Sequence, residues 1–272
     1  MNLDYNFAIF ILSHNRANKI ETLQMIQKYN YSGKWFIVIS TDDSQLCDYK
    51  KFIPSDNLLI FNKSETLRYT DLLTNKFVNN ASIYAINYAR QHNIDYFIEA
   101  DDDIQKIYHR FEENGKMKQK EISNLDDVIN PLIDFISMAE NIKSINPAIN
   151  SGFFGGVNGV FKKGLDHYSF QFMLCKKSIP FFRGIRTEDR QQSHYYTTRT
   201  SELFLTFFGL SFESPQMASN SGGIQYMKDG NVNPYTYILL TSPSCIRLKE
   251  GNKKIIYKNK AFPKIISCKF KK

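Results

Sequence analysis

The chain lacks any apolar run approaching the roughly 18 residues needed to cross a bilayer, so no membrane span is expected. Its start, MNLDYN, lacks the basic region of a secretory leader, and the expected setting is soluble and cytoplasmic. Cysteine is scarce and scattered. Cys47, Cys175, Cys245 and Cys268 form no CxxC pair, which argues against a zinc site and against a disulfide framework, and leaves them as small buried apolar residues. No GxxxxGK loop is present, which disfavours P-loop kinases and ATPases. What the chain does have is 272 residues with 42% hydrophobic content, enough for one sizeable core, so a single large domain over residues 1–246 is expected rather than two small ones.

Net positive charge is absent from most of the chain. Ten basic residues and one acidic lie between Arg247 and Lys272, so with a total of +8 the first 246 residues carry a net charge of about −1. The segment 247–272, with Lys253, Lys254, Lys258 and Lys260 and the interleaved aromatics Tyr257, Phe262 and Phe270, is a candidate footprint for nucleic-acid phosphates. A solvated end or a membrane-surface patch reads equally well from charge alone.

The stretch DYFIEADDDI, Asp95 to Ile104, carries the sharpest chemical signal. Tyr96, Phe97 and Ile98 read as the end of a buried strand, after which the apolar run stops at Asp101, Asp102 and Asp103. A strand that ends in acids directs them off the carboxyl edge of a sheet, where open α/β folds hold ligands. Three adjacent anions repel one another, and a hard dication such as Mg²⁺ or Mn²⁺ relieves that repulsion. Alternate residues of a turn can face one point, which makes Asp101 and Asp103 the candidate metal pair and sets Asp102 towards the sheet or a sugar. A solvated acidic turn capping the next helix is the plain alternative.

Three further strands are expected before this one. FAIFIL, Phe7 to Leu12, ends at Ser13-His14-Asn15-Arg16 and is followed by a helical pattern over Ala17 to Tyr29. Ser13 and Arg16 therefore sit where a helix start and a cation can meet a phosphate or nucleotide, although an ordinary helix start explains them too. WFIVIS, Trp35 to Ser40, ends at Asp42 and Asp43, either of which can accept from a base or ribose or simply cap a helix near Gln45. LLIF, Leu58 to Phe61, is a third strand. The polar stretch Leu67 to Thr74 offers Arg68 and Asp71 to a ligand, and a helix opening at Asn79-Asn80-Ala81 leads into the acidic strand. This order implies a mostly parallel sheet with helices on both faces.

The second half is expected to open with an amphipathic helix over Asp126 to Lys143. The glycine-rich stretch Ser151 to Gly159 suggests either backbone close to a ligand or plain turns. Strands are expected at Phe170 to Cys175 and Ile179 to Phe182, and a helix from Thr197 to Phe208 ending at Gly209. Before it lie Glu188 and Asp189, preceded by Thr187. A carboxylate there can remove a proton from an attacking hydroxyl, or the pair can merely complement the helix dipole.

Four stretches, in order, carry a resemblance: SHNR at Ser13 to Arg16, NASIYAINYARQHNIDYFIEADDDI from Asn80 to Ile104, TEDR at Thr187 to Arg190, and AFPKII at Ala261 to Ile266. The chain resembles the phage DNA-modifying glycosyltransferases known as the TET-associated glycosyltransferase family. The resemblance implies an α/β GT-A fold, a three-layer αβα sandwich on a central, mostly parallel mixed sheet, with a nucleotide-sugar half over 1–104 and an acceptor half over 105–246. It implies transfer from a nucleotide sugar, a UDP-sugar by expectation, to the hydroxyl of a hydroxymethylated base such as hydroxymethylcytosine in the DNA of an infected bacterium. Mn²⁺ or Mg²⁺ would sit on Asp101 and Asp103. Ser13, Arg16, Asp42, Asp43, Arg68, Asn80 and Asp102 would face the donor. Asp189 would be the base with Glu188 as its support, and Arg190 and His194 would stand near the acceptor phosphate of a flipped nucleotide. The chain departs from the pattern at Glu99-Ala100, where aliphatic residues are usual, and in having no histidine after His194 to complete the metal site, so donor phosphates and water would fill it. A GT-A enzyme that builds a surface glycan and a non-enzymatic nucleic-acid-binding protein are the rival readings.

Overall fold

A computed structural model describes residues 5–66, 79–149, 161–163, 171–181, 202–214, 246–251 and 254–259, with 161–163 and the last two stretches as backbone. In chain order the elements are β1 (Phe7–Leu12), α1 (Glu21–Lys28), β2 (Lys34–Ser40), α2 (Leu46–Phe52), β3 (Leu58–Phe61), α3 (Lys63–Thr66), α4 (Asn79–Gln91) and β4 (Tyr96–Asp101). They continue with β5 (Lys106–Glu113), β6 (Lys116–Glu121), α5 (Asp126–Ser137), β7 (Ile142–Ile149), β8 (Phe161–Lys163), β9 (Phe172–Lys176), β10 (Leu203–Glu213), β11 (Ile246–Gly251) and β12 (Lys254–Asn259).

One large sheet runs in the order β3-β2-β1-β4-β9-β7-β10-β5-β6, with β8 also on β10. Its first four strands are parallel, as expected. The second half is mixed: β9 runs against both β4 and β7, β10 is parallel to β7, and β5 runs against β10. The parallel strands are buried on both faces because side chains alternate across the sheet and helices cover each side. On β1, Phe7, Ile9 and Ile11 pack with Met25 and Ile26 of α1, Tyr49 of α2 and Ile129, Ile133 and Ile136 of α5. Ala8 and Phe10 pack on the opposite face with Ala85, Ile86 and Ala89 of α4. The three-layer α/β architecture expected from the strand and helix order is the one observed.

Five expectations are corrected. The helix expected over Thr197 to Phe208 is, in its described part, the strand β10, eleven residues long and mostly buried. Gly209, taken as a helix stop, instead lies where the β7 register shifts between Phe207 and Ser211. A Cβ there would stand 2.4 Å from the Phe207 ring, so any larger residue would force that ring to move. The helix expected to reach Lys143 ends at Ser137, and Ile142 onward forms β7, a central strand. Ile179 to Phe181 follow β9 without strand structure, and Cys47 is exposed whereas Cys175 is buried. The stretches SGFFGGVNG and AFPKII lie outside the described residues. Among the described residues no helix is long and apolar enough to cross a membrane.

Candidate active site

The parallel register lines up the carboxyl ends of the strands. Leu12 of β1 pairs with both Asp101 of β4 and Val38 of β2, so the turn beginning at Ser13 lies beside the turn beginning at Asp102. These two turns are tied together by side chains. Ser13 Oγ donates to Asp102 Oδ2 at 2.6 Å, and Arg16 Nη1 donates to Asp102 Oδ1 at 2.5 Å and to Asp103 Oδ2 at 3.0 Å. Ser214 Oγ, just past β10, donates to Asp103 Oδ1 at 3.1 Å. Asp102 and Asp103 are buried, at 5% and 4% exposure, so both carboxylates face protein donors rather than bulk water. An unpaired pair of buried anions would be strongly unfavourable, and the guanidinium supplies the compensating charge.

The electrostatics follow from this packing. Burial pushes Asp102 up to about 6, with Arg16 and the Ser13 hydroxyl pulling it part of the way back. Burial alone would lower the Arg16 pKa, but Asp102 and Asp103 outweigh it and the guanidinium stays above its ordinary value.

Residues that carry no chemical signal in the sequence hold this arrangement in place. Thr22, fully buried in the first turn of α1, donates through Oγ1 to the Asp101 carbonyl at 2.5 Å and accepts from the Ile104 amide at 2.9 Å, and its own amide donates to the Asp102 carbonyl. One threonine thus staples the whole acidic turn to the helix. Tyr49 on α2 bonds Ser13 Oγ at 2.6 Å and accepts from the Arg16 amide at 3.1 Å. Nothing local marks Thr22, Tyr49 or Ser214, because their value lies in contacts to residues 33 to 111 positions away.

The other expected donor-facing residues divide. Asp43 is buried, and its oxygens accept from the Gln45 amide at 2.8 Å ahead of α2, from the Asn15 amide at 2.9 Å and from His14 Nδ1 at 2.9 Å. It both caps that turn and anchors the Ser13 to Arg16 loop, in which Asn15 has a left-handed φ of 54°. Asp42 is exposed and held below the usual carboxylate range by the Ser40 hydroxyl and by Lys63 at 3.0 Å. Asn80, at the start of α4, is buried, accepts from Thr66 Oγ1 at 2.8 Å, and leaves Nδ2 without a partner. Arg68, Glu188, Asp189, Arg190, His194, Lys253 and Lys260 lie outside the described residues. Lys254 and Lys258 lie on β12, the second strand of a two-stranded antiparallel ribbon with β11.

Among the described residues no three His, Cys, Asp or Glu side chains stand close enough to hold a metal by themselves. The donor set nevertheless fits a hard dication of the Mg²⁺ type, which is commonly held by one or two carboxylates with substrate phosphates completing the shell. Of the expected pair, Asp103 already meets a cation, the Arg16 guanidinium, and its oxygens keep further lone pairs to offer, while Asp101 ends β4 two residues before it.

The family model described as TET-Associated Glycosyltransferase matches residues 7–194. Among solved structures, glucosyl-3-phosphoglycerate synthase from Mycobacterium tuberculosis with Mg²⁺ and UDP is 8% identical, with a TM-score of 0.50 over 94% of this chain and 87% of that one. The same synthase with Mn²⁺, UDP-glucose and phosphoglyceric acid is 8% identical, with a TM-score of 0.50 over 95% and 88%. At that identity the likeness shows the fold. A search of the curated proteins found no match.

Proposed function

We propose, on the premise that this chain belongs to the TET-associated glycosyltransferase family and is a nucleotide-sugar-dependent glycosyltransferase, that it moves a sugar from a UDP-linked donor to a hydroxymethylated base in DNA. Hydroxymethylcytosine is the expected acceptor. The observation that carries the reading is the acidic corner at the end of β4, where Asp102 and Asp103 meet Arg16 beside the β1 turn. That is where an open α/β sheet receives a nucleotide.

In this reading Asp101 and Asp103 hold Mn²⁺ or Mg²⁺. When bound, the ion acts as a Lewis acid on the departing diphosphate. Arg16, kept charged by its two aspartates, adds a second cation at the same edge, and Asp102 orients it together with Ser13. Thr22 and Tyr49 keep the two turns in register so that little reorganisation is needed when the donor arrives. The acceptor hydroxyl attacks the anomeric carbon as the carbon–oxygen bond to the diphosphate breaks. Asp189 takes the hydroxyl proton, Glu188 supports it, and the product is inverted. A base stacked in a duplex is out of reach, so the nucleotide is flipped out, with Arg190, His194 and the lysines Lys253, Lys254, Lys258 and Lys260 near the phosphates.

The test is to incubate the protein with Mn²⁺, a panel of uridine-linked sugars and hydroxymethylcytosine DNA, then digest the DNA and weigh the nucleosides. A mass gain of one sugar on hydroxymethylcytosine is expected. Sugar appearing only on an added saccharide would replace this acceptor with a glycan.

A further inference from the structure

The strands β5 and β6 form a ribbon at the edge of the sheet. Residues Lys106 to His109 of β5 pair with β10, whereas Arg110 to Glu113, among the described strands, pair only with β6. The ribbon closes at Asn114 and Gly115, whose φ values of 54° and 72° suit a two-residue hairpin turn. Cross-strand partners share a face, and the register sets Glu113 opposite Lys116, Phe111 opposite Lys118 and His109 opposite Lys120. One face of the ribbon therefore presents Lys116, Lys118 and Lys120 at intervals of roughly 7 Å, together with His109 and Phe111, all exposed. Its single acid, Glu113, is paired with Lys118.

Lysines on an edge strand commonly serve to block edge-to-edge pairing. That role does not account for Phe111 on the lysine face or Met117 on the opposite one, exposed by 42% and 46%, two of the four large apolar side chains left open among the described residues. A gatekeeping edge gains nothing from them. Between Lys106 and Glu121 the chain has five lysine or arginine residues against three glutamates, a basic island in a region that is otherwise slightly acidic. A two-stranded ribbon is also one of the shapes that the major groove of a duplex admits.

We infer that the β5–β6 ribbon is a duplex-DNA contact, with Lys116, Lys118 and Lys120 on backbone phosphates and Phe111 against the groove. The inference rests on the proposed DNA acceptor and extends it to a surface outside the basic C-terminal segment. Only Ile104 and Gln105 separate the ribbon from Asp103, and the Gln105 amide donates to the Glu213 carbonyl at 2.9 Å, so ribbon and acidic corner form one continuous segment. Eight residues of β5 span about 25 Å, close to seven steps of a duplex, so a helix held there can present a base at the corner.

The experiment uses the full chain and a labelled duplex containing hydroxymethylcytosine, with fluorescence anisotropy followed across a salt series. The variant Lys116→Gln, Lys118→Gln, Lys120→Gln is expected to bind at least ten-fold more weakly at low salt and to lose about two to three units of the salt slope. A control of equal charge, Lys34→Gln, Lys50→Gln, Lys51→Gln, is expected to bind like the wild type. Thermal melting and donor hydrolysis without DNA are expected to match across all three proteins, which separates lost contact from lost fold. Wild-type protein that binds duplex while the ribbon variant binds with the same affinity and slope overturns the ribbon and leaves the acceptor standing. Wild-type protein that binds no duplex at low salt overturns both.

Discussion

Glu99 offers the most direct measurement of how this fold treats a buried acid. It lies on β4 two residues before Asp101, 2% exposed, and its Oε2 has no hydrogen-bond partner. The neighbouring Ser82 hydroxyl lies close enough to lower the carboxyl slightly but makes no well-aligned bond. Burial dominates and pushes Glu99 from about 4.5 up to about 7. In the unfolded chain the proton leaves near the ordinary value, whereas the folded protein keeps it until near neutrality. The folded state therefore binds more protons between those limits, and stability is full below about pH 4.5, falls as pH rises, and levels off above about 7. A gap of about 2.5 units corresponds to about 3 kcal/mol, a sizeable share of the 5–15 kcal/mol typical of a domain. Glu99→Gln keeps the shape and removes the titration. Its unpartnered amide adds a constant penalty of about 1–2 kcal/mol at every pH, so the difference between the two proteins, not either curve alone, carries the signal. Urea unfolding in metal-free buffer at pH 5, 6, 7 and 8 is the assay. Relative to wild type, the variant is expected to gain about 2–3 kcal/mol between pH 5 and 8. A flat difference across that range would refute the account of Glu99 as a neutral buried acid.

Other substitutions probe the acidic corner and the register shift at Gly209. Arg16→Gln leaves Asp102 and Asp103 facing each other without their cation and is expected to lower stability by about 2–4 kcal/mol in chemical unfolding, while Arg16→Lys restores part of it. Replacing Asp101 and Asp103 together by Asn is expected to cut Mn²⁺-dependent donor hydrolysis at least a hundred-fold, with Mn²⁺ binding lost in calorimetry; unchanged Mn²⁺ affinity would sink their assignment. Gly209→Ala drives a methyl into the Phe207 ring and is expected to cost about 1–3 kcal/mol, visible as a lower melting temperature, and Phe207→Leu in the same chain is expected to recover part of the loss.

Adjacent residues alone determined where the parallel strands lie and where they stop. FAIFIL, WFIVIS and YFIEAD are apolar runs broken by polar or acidic turns, and a strand buried on both faces needs no distant partner to be recognised. The same runs placed the aspartates at one edge of one sheet. The strand β10 was hidden because LFLTFFGLSFE is apolar enough to suit either a helix or a strand, and only pairing with β7, β5 and β8 selects the second. Tertiary structure also decided that Asp102 and Asp103 converge on Arg16, that Asp43 is taken up by the neighbouring loop, and that Thr22 and Tyr49 hold the corner. Backbone periodicity is a property of neighbours along the chain and is written locally. The meeting of two carboxylates and a guanidinium depends on strand register and helix placement across some 87 positions, which no local pattern records.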